Sequence, residues 1–112
     1  MADASELANE VRVVLVTAPD REAATGLARE LVGRRIAACV NVVDGVTSIY
    51  RWRGAVEEAR EVLLVVKTTA ARYPELERAL VELHPYEVPE CIALRPEAVA
   101  PKYAAWLAGE VG

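Results

Sequence analysis

The sequence predicts an α+β domain in which helices cover one face of a four-stranded antiparallel sheet. Three observations support this fold. A β-branched run over Val11–Val16 and an apolar run over Val62–Val66 have the composition of buried strands. Two other stretches carry apolar residues at i, i+3, i+4 and i+7, which is the spacing of an amphipathic helix. Residues 36–69 contain two long strand patterns joined near Arg53-Gly54.

Composition limits the classes of function. The chain has 112 residues, 54% of them hydrophobic and 27% charged, which is typical of a single packed domain. The net charge of -4 opposes binding to nucleic acid, and no run approaches the roughly 18 apolar residues of a membrane span. Residues 1–10 are polar, so we expect a disordered segment without a secretory signal, followed by one domain at 11–112. The two cysteines indicate free thiols in a reducing cytoplasm.

The first strand and helix follow from local patterns. The strand at Val11–Val16 is apolar on both faces, so we expect it at the centre of the sheet. Asp20 can cap the next helix, and Gly33 is expected to end it, with Arg34 and Arg35 complementing its dipole. The apolar stripe of this helix is expected to consist of Ala24, Leu27, Ala28, Leu31 and Val32.

The two long strands are expected to form a protruding ribbon. Asp44-Gly45 fits either a two-residue hairpin turn or a bulge within one long strand, and we favour the bulge. Beyond it, alternation places Val46, Ser48, Tyr50 and Trp52 on one face. The charged residues Glu57, Glu58, Arg60 and Glu61 fit either a solvated outer face with cross-strand pairs or an acidic binding patch, and we favour the solvated face. Because an overhanging apolar ribbon is seldom left bare in water, we expect another copy of the chain to cover it.

The remaining elements complete a ferredoxin-like order. Pro74 opens a second helix with the stripe Leu76, Ala79, Leu80 and Leu83, and His84-Pro85 ends it. A short strand follows at Cys91–Leu94. Pro101 opens a last helix, in which we expect one face to hold Tyr103, Trp106 and Leu107. This arrangement leaves the first ribbon strand and the last strand at the sheet edges, where pairing between copies in a closed ring would cover them.

The candidate metal ligands are few. His84 is the only histidine of the chain, and Glu87, Glu90 and Cys39 could add oxygen or sulfur from other strands or subunits. No CxxC, HxH or HExxH spacing occurs. Alternatively, His84 ends its helix with the ring bonded to the last carbonyls, and Cys39 and Cys91 are buried, inert thiols. Any metal site is therefore expected to be weak or shared between subunits.

A second group of candidates would line a cleft between subunits. Lys67 follows five apolar residues, so its ammonium must reach solvent or a carboxylate such as Glu90, and that pair could hold a small anion or lock the fold. Trp52 and Tyr50 could pack against a neighbouring subunit or stack on a ligand, and we favour subunit packing; Tyr86 is expected to line a pocket between subunits. With no serine elbow, phosphate loop or second histidine, we expect no enzymatic activity.

Several segments, in this order, resemble the CutA family of divalent-cation tolerance proteins. They are TAPD at 17–20, AACVN at 37–41, SIYRWRG at 48–54, LVVKTT at 64–69, HPYEVPE at 84–90 and the pair Tyr103 and Trp106. The resemblance covers roughly residues 11–108. It implies a cytoplasmic homotrimer of ferredoxin-like subunits, related in architecture to PII-type signalling proteins, that binds copper(II) and other divalent cations.

Two departures from the family pattern concern the metal. Some members proposed to bind copper have a cysteine where this chain has Val16 and a histidine where it has Leu83. Copper is therefore expected to bind weakly. The sequence leaves two functional hypotheses. The first is a metal-tolerance trimer that binds copper through His84 and nearby carboxylates. The second is a trimeric signalling or interaction scaffold with a small anion or metabolite between its subunits.

Overall fold

The computed structural model describes residues 10–111 and confirms the predicted fold. The elements are β1 (Val11–Ala18), α1 (Arg21–Gly33), β2 (Cys39–Trp52), β3 (Ala55–Thr69), α2 (Tyr73–Leu83), β4 (Ile92–Leu94) and α3 (Pro101–Val111). The strands form one antiparallel sheet in the order β2-β3-β1-β4, which is the ferredoxin-like arrangement with a long hairpin and an added C-terminal helix. Of the segment expected to be disordered, residues 1–9 lie outside the described residues.

The ribbon is as long as its sequence predicts. β2 and β3 contain 14 and 15 residues, and the described chain extends over 50 Å. At the tip, Trp52 pairs with Ala55, and the two residues between them turn the chain. Arg53 and Gly54 both have positive φ, 49° and 82°, as in a type I′ hairpin turn, whose twist matches that of the strands.

Asp44-Gly45 forms a bulge, as favoured. The register of β2 against β3 shifts between Val43 and Val46, while β2 continues as one strand. Gly45 has a φ of 80°, a conformation that costs glycine little and other residues much more. Arg21 at the start of α1 donates to Asp44 Oδ2 at 2.5 Å, which ties the bulge to the body of the domain.

The hydrophobic core lies between the sheet and the helices α1 and α2. It is formed by alternate residues of β1 and β3 together with the helix stripes, among them Val14, Val16, Leu64, Val66, Leu31, Leu76 and Leu80, all at most 1% exposed. The expected stripe of α1 is wrong only at Val32, which is exposed. At 3.6 residues per turn, Val32 lies about 90° from the centre of the stripe. None of the helices among the described residues is long and apolar enough to cross a membrane.

α1 ends at Gly33, as expected, but the glycine is not the residue that releases the chain. Gly33 remains helical, and Arg35 takes the left-handed conformation, with a φ of 60°. The Arg35 N–H donates to the Val32 carbonyl and the Ile36 N–H to that of Leu31, which completes a Schellman motif. The Arg35 guanidinium also donates to the Gly109 carbonyl at 3.2 Å. This contact with α3 helps to offset the strain at Arg35.

The second face of the sheet is apolar and mostly outside the core. The register groups on this face Val13, Leu15, Val43, Leu63, Val65, Ile92 and Leu94, hereafter the open face. None of these side chains belongs to either hydrophobic cluster of the described chain. Ile92 and Leu94 on the edge strand are 49% and 46% exposed. An apolar face of this kind, bounded by two strand edges, requires a covering surface.

α3 covers one end of that face. Ala104 and Leu107 pack against Val11 in a second hydrophobic cluster. Of the three residues expected on one face of this helix, Leu107 is buried, whereas Tyr103 and Trp106 are exposed. These two aromatic rings stack on each other with centroids 5.5 Å apart, and they are 40% and 46% exposed.

A first prediction concerns Tyr73 at the start of α2. Its hydroxyl lies 3.6 Å from Cys91 Sγ. This contact, together with burial, raises the pKa of Tyr73 from 10.0 to about 12. Because the native state holds the phenolic proton more tightly than the unfolded chain, the stabilisation is complete below the unfolded pKa and is lost as the pH rises through the folded pKa.

Between pH 10 and 12, we therefore expect the unfolding free energy of Tyr73→Phe to fall less steeply than that of the parent chain. Urea titrations across this window provide the measurement. Identical slopes for the two proteins would show that Tyr73 does not contribute to the alkaline loss of stability.

Candidate functional site

A cleft of about 680 Å³ lies between the outer half of the ribbon and the loop after α2. Alternation along β2 turns one face of the ribbon towards it, and the loop forms the opposite wall. We name it the ribbon cleft. Its lining consists of Thr17, Ser48, Ile49, Tyr50, Trp52, Glu61, Pro85, Tyr86, Glu87, Val88 and Glu90.

His84 fixes the loop wall of the ribbon cleft. The residue caps the end of α2 and is only 8% exposed. Its Nδ1 accepts the Tyr86 N–H at 3.0 Å, so Nε2 carries the ring proton and donates it to the Thr17 carbonyl at 2.7 Å. Both nitrogens are thus occupied in one neutral tautomer. His84 therefore ends its helix with a hydrogen-bonded ring, which is the alternative to metal binding that the sequence analysis describes. The ring bonds a carbonyl of β1, however, rather than the last carbonyls of its own helix.

Glu61 is a site residue that the sequence interpretation missed. It was assigned to a solvated face, but it is only 9% exposed, and Oε2 accepts the Tyr86 hydroxyl at 2.7 Å. Burial and this hydrogen bond raise the pKa of the Tyr86 hydroxyl. The period of two places Glu61 with Leu63 and Val65, on the face opposite Arg60, and this signal was present in the sequence.

Arg53 lies at the rim of the ribbon cleft. Its Nη2 is 3.4 Å from Glu87 Oε2, and its guanidinium carbon lies 5.4 Å from the centroid of the Trp52 ring. Both charged side chains are largely exposed, so this ion pair stabilises the fold very little. Its importance is geometric, because it joins the ribbon tip to the loop wall.

Two of the four proposed metal ligands, Glu87 and Glu90, lie in the ribbon cleft. His84 is hydrogen-bonded behind the wall. Cys39 pairs with Lys67, six residues along β3 from Glu61, which is about 20 Å at roughly 3.3 Å per residue. Within residues 10–111, no three His, Cys, Asp or Glu side chains are placed to hold a metal. The four proposed ligands therefore do not assemble within one chain.

The proposed cleft residues are brought together except for Lys67. Tyr50, Trp52 and Tyr86 surround the ribbon cleft. Lys67 lies at the other end of the sheet and donates to Asn41 Oδ1, and the described chain forms no ion pair between it and Glu90. The described lining includes three carboxylates and neither lysine nor arginine, and Arg53 at the rim pairs only with Glu87, so the net charge of the site favours cations over anions.

Comparison with known proteins gives the same family from the sequence and from the fold. The model of the CutA1 divalent ion tolerance protein family matches residues 12–110. The chain belongs to this family. A CutA relative from Thermus thermophilus, named a divalent-cation tolerance protein, is 49% identical over 100 residues, which are 89% of this chain and 97% of the relative. The solved structure of a divalent cation tolerance protein, Cut A1, from the same organism has a TM-score of 0.89 at 48% identity, covering 91% of this chain and 99% of that one.

An animal CutA protein is longer. Mouse Protein CutA is 43% identical over 97 residues, which are 87% of this chain but 55% of the mouse protein. The shared region is thus one part of the mouse protein and nearly all of the bacterial one. These matches confirm the family that the sequence motifs indicated.

Proposed function

We propose that this CutA chain is a cytoplasmic, non-enzymatic homotrimer that binds divalent cations, copper(II) among them, and supports tolerance to them. Membership of the divalent ion tolerance family supports the metal-tolerance role. The observation that carries cation binding is the lining of the ribbon cleft. Glu61, Glu87 and Glu90 belong to it without a lysine or arginine among the described lining residues, and the one nearby cation, Arg53 at the rim, pairs with Glu87 alone. Carboxylate oxygens of this kind attract divalent cations and can ligate them.

The open face supports assembly into a closed oligomer. Its apolar side chains and the two edge strands, β2 and β4, would be covered by further copies of the chain. At the ribbon tip, Ile49 and Val56 are 69% and 66% exposed, which again calls for a covering surface. Since one chain does not bring together enough ligands for a metal among its described residues, a neighbouring subunit would supply the rest.

Two observations support the cytoplasmic and non-enzymatic parts of the proposal. Cys39 and Cys91 are free thiols, as is usual in a reducing compartment. His84, the only histidine, is held in the wall by both ring nitrogens, so it has no nitrogen free to take a proton from a substrate in the ribbon cleft.

The alternative is a trimeric scaffold that holds a small anion or metabolite between subunits. An anion would meet the carboxylates of Glu61, Glu87 and Glu90, and Lys67, the cation expected to attract it, lies at the far end of the sheet. The geometry therefore favours the cation-binding protein.

Copper titration by calorimetry tests the proposal. Replacing Glu87 and Glu90 together by glutamine is expected to weaken copper binding about tenfold or more, because each loses a charged oxygen donor. The control is Glu58→Gln, on the opposite face of the ribbon and exposed, which removes one carboxylate outside the ribbon cleft and should leave the affinity unchanged. Equal copper affinities in the parent and the double variant would contradict the assignment.

A further inference from the structure

We propose that the ribbon cleft is a receptor site for small organic cations that carry a guanidinium or alkylammonium group. This ligand class goes beyond divalent metals. The proposal uses the walls of the same cleft but does not require that a metal bind there. Three features of the cleft carry it: an uncompensated buried carboxylate, an aromatic wall, and a guanidinium of the chain itself that already occupies the rim.

Glu61 lacks a positive partner among the described residues. It is only 9% exposed, and its one hydrogen bond within the described chain comes from the neutral Tyr86 hydroxyl to Oε2. No ion pair among residues 10–111 includes Glu61, and Oε1 accepts no hydrogen bond from them. None of the described buried side-chain oxygens lacks a hydrogen-bond partner, so Oε1 is open to the ribbon cleft, where a carboxylate with little water around it favours a cationic partner. Since Glu61 lines the ribbon cleft, a cationic ligand there would supply the missing charge.

The shape of the ribbon cleft fits an organic molecule. Its volume of about 680 Å³ lies within the roughly 300–1,000 Å³ of small-molecule sites. The acidic side chains are also too dispersed for three of the described donors to hold one metal ion. A longer cation can span such separated carboxylates, with one charged group near Glu61 and another near Glu90.

Aromatic rings complete the lining. Tyr50, Trp52 and Tyr86 belong to the same lining as the three carboxylates. The face of an aromatic ring carries negative potential and attracts guanidinium and ammonium groups. Carboxylates together with aromatic side chains form the kind of surface that recognises organic cations, whereas hydrated metal ions gain little from the rings.

Arg53 shows that the rim accepts a guanidinium. Its side chain lies over Trp52, 5.4 Å from the ring centroid, and reaches Glu87 at 3.4 Å. One aromatic ring and one carboxylate thus hold a planar cation at the rim. Glu61, the most buried carboxylate of the lining, is left for a free ligand.

Calorimetric titration with agmatine, which has a guanidinium at one end and an ammonium at the other, tests the proposal. The control ligand is 4-guanidinobutyrate, which keeps the guanidinium and replaces the second cation with a carboxylate. We expect the full-length assembled protein to bind agmatine at least about tenfold more tightly than 4-guanidinobutyrate, because only agmatine offers two positive charges to the separated carboxylates.

Protein variants locate the site. Glu61→Gln keeps an acceptor for the Tyr86 hydroxyl, and its loss of charge is expected to weaken agmatine about tenfold. Trp52→Leu is expected to cost roughly fivefold, while Trp52→Phe retains a ring face and most of the affinity. Glu58→Gln removes one exposed charge from the other face of the ribbon and should change nothing. Light scattering checks that each variant keeps the parent mass.

The possible outcomes separate this proposal from metal binding. No agmatine binding at millimolar concentration would overturn it, even if copper still binds. Equal affinity for the two ligands, or equal losses in Glu61→Gln and Glu58→Gln, would reduce the effect to general attraction by an acidic chain and would overturn it as well. Agmatine binding with the expected losses, in a protein that does not bind copper, would support this site and contradict the proposed metal function.

Discussion

Replacing His84 with alanine is expected to lower the free energy of unfolding by about 3 kcal/mol, even in metal-free protein. The change leaves the Thr17 carbonyl and the Tyr86 N–H without their partners, and a buried unsatisfied group costs roughly 1–3 kcal/mol. The lost ring volume adds a cavity penalty. Urea titration in the presence of a chelator, at one fixed chain concentration, measures the effect.

The comparison with His84→Phe separates packing from hydrogen bonding. Phenylalanine retains a ring but neither nitrogen, so its cost is expected to be about 2 kcal/mol. Were His84 only a metal ligand, both variants would match the parent protein once metal is removed. A loss below about 0.5 kcal/mol in the chelated alanine variant would contradict the structural role described here.

Placing a charge on the open face is expected to dissociate the proposed homotrimer. Val65 pairs with Leu15 on one side and Asn41 on the other, near the middle of the sheet. In Val65→Glu, a separate chain can leave the carboxylate in water, but association would bury it against apolar side chains at a cost of several kcal/mol. We expect the mass in solution to fall to that of one chain, with the circular dichroism of a folded protein.

The matched control for this experiment is Val81→Glu on α2. Val81 is 82% exposed, so the same chemical change lies outside the open face and should leave the mass unchanged. An undiminished mass for Val65→Glu would mean that the open face is not where the copies meet.

The backbone of this protein could be predicted because its determinants are local. The β-branched run in β1, the period of the helices and the positive-φ turn at Arg53-Gly54 each act over a few residues. The local sequence at Asp44-Gly45 fits both a bulge and a hairpin turn. The bulge depends on the register of β2 against β3, which the local sequence does not contain. Arg35 illustrates the limit of prediction from local sequence. It takes the left-handed conformation expected at glycine, and its contact with Gly109 lies 74 residues away.

The ribbon cleft was predicted in part. Alternation along the ribbon placed Tyr50 and Trp52 on one face, and both line the cleft. Glu61 was misassigned because a charged residue among charged neighbours is easily taken as solvated. Lys67 bonds Asn41 across the ribbon, a partner fixed by strand register rather than by charge. His84 was left between two roles, since its partners, Thr17 and Tyr86, come from other segments that only the fold brings together.

The central claim is that further copies of the chain cover the open face and the two edge strands that bound it. Sedimentation equilibrium of the parent protein at micromolar concentration tests it most directly. We predict a single species with three times the 12.2 kDa mass of the chain, unchanged on dilution through this range. A soluble species with the mass of one chain under these conditions would contradict the claim.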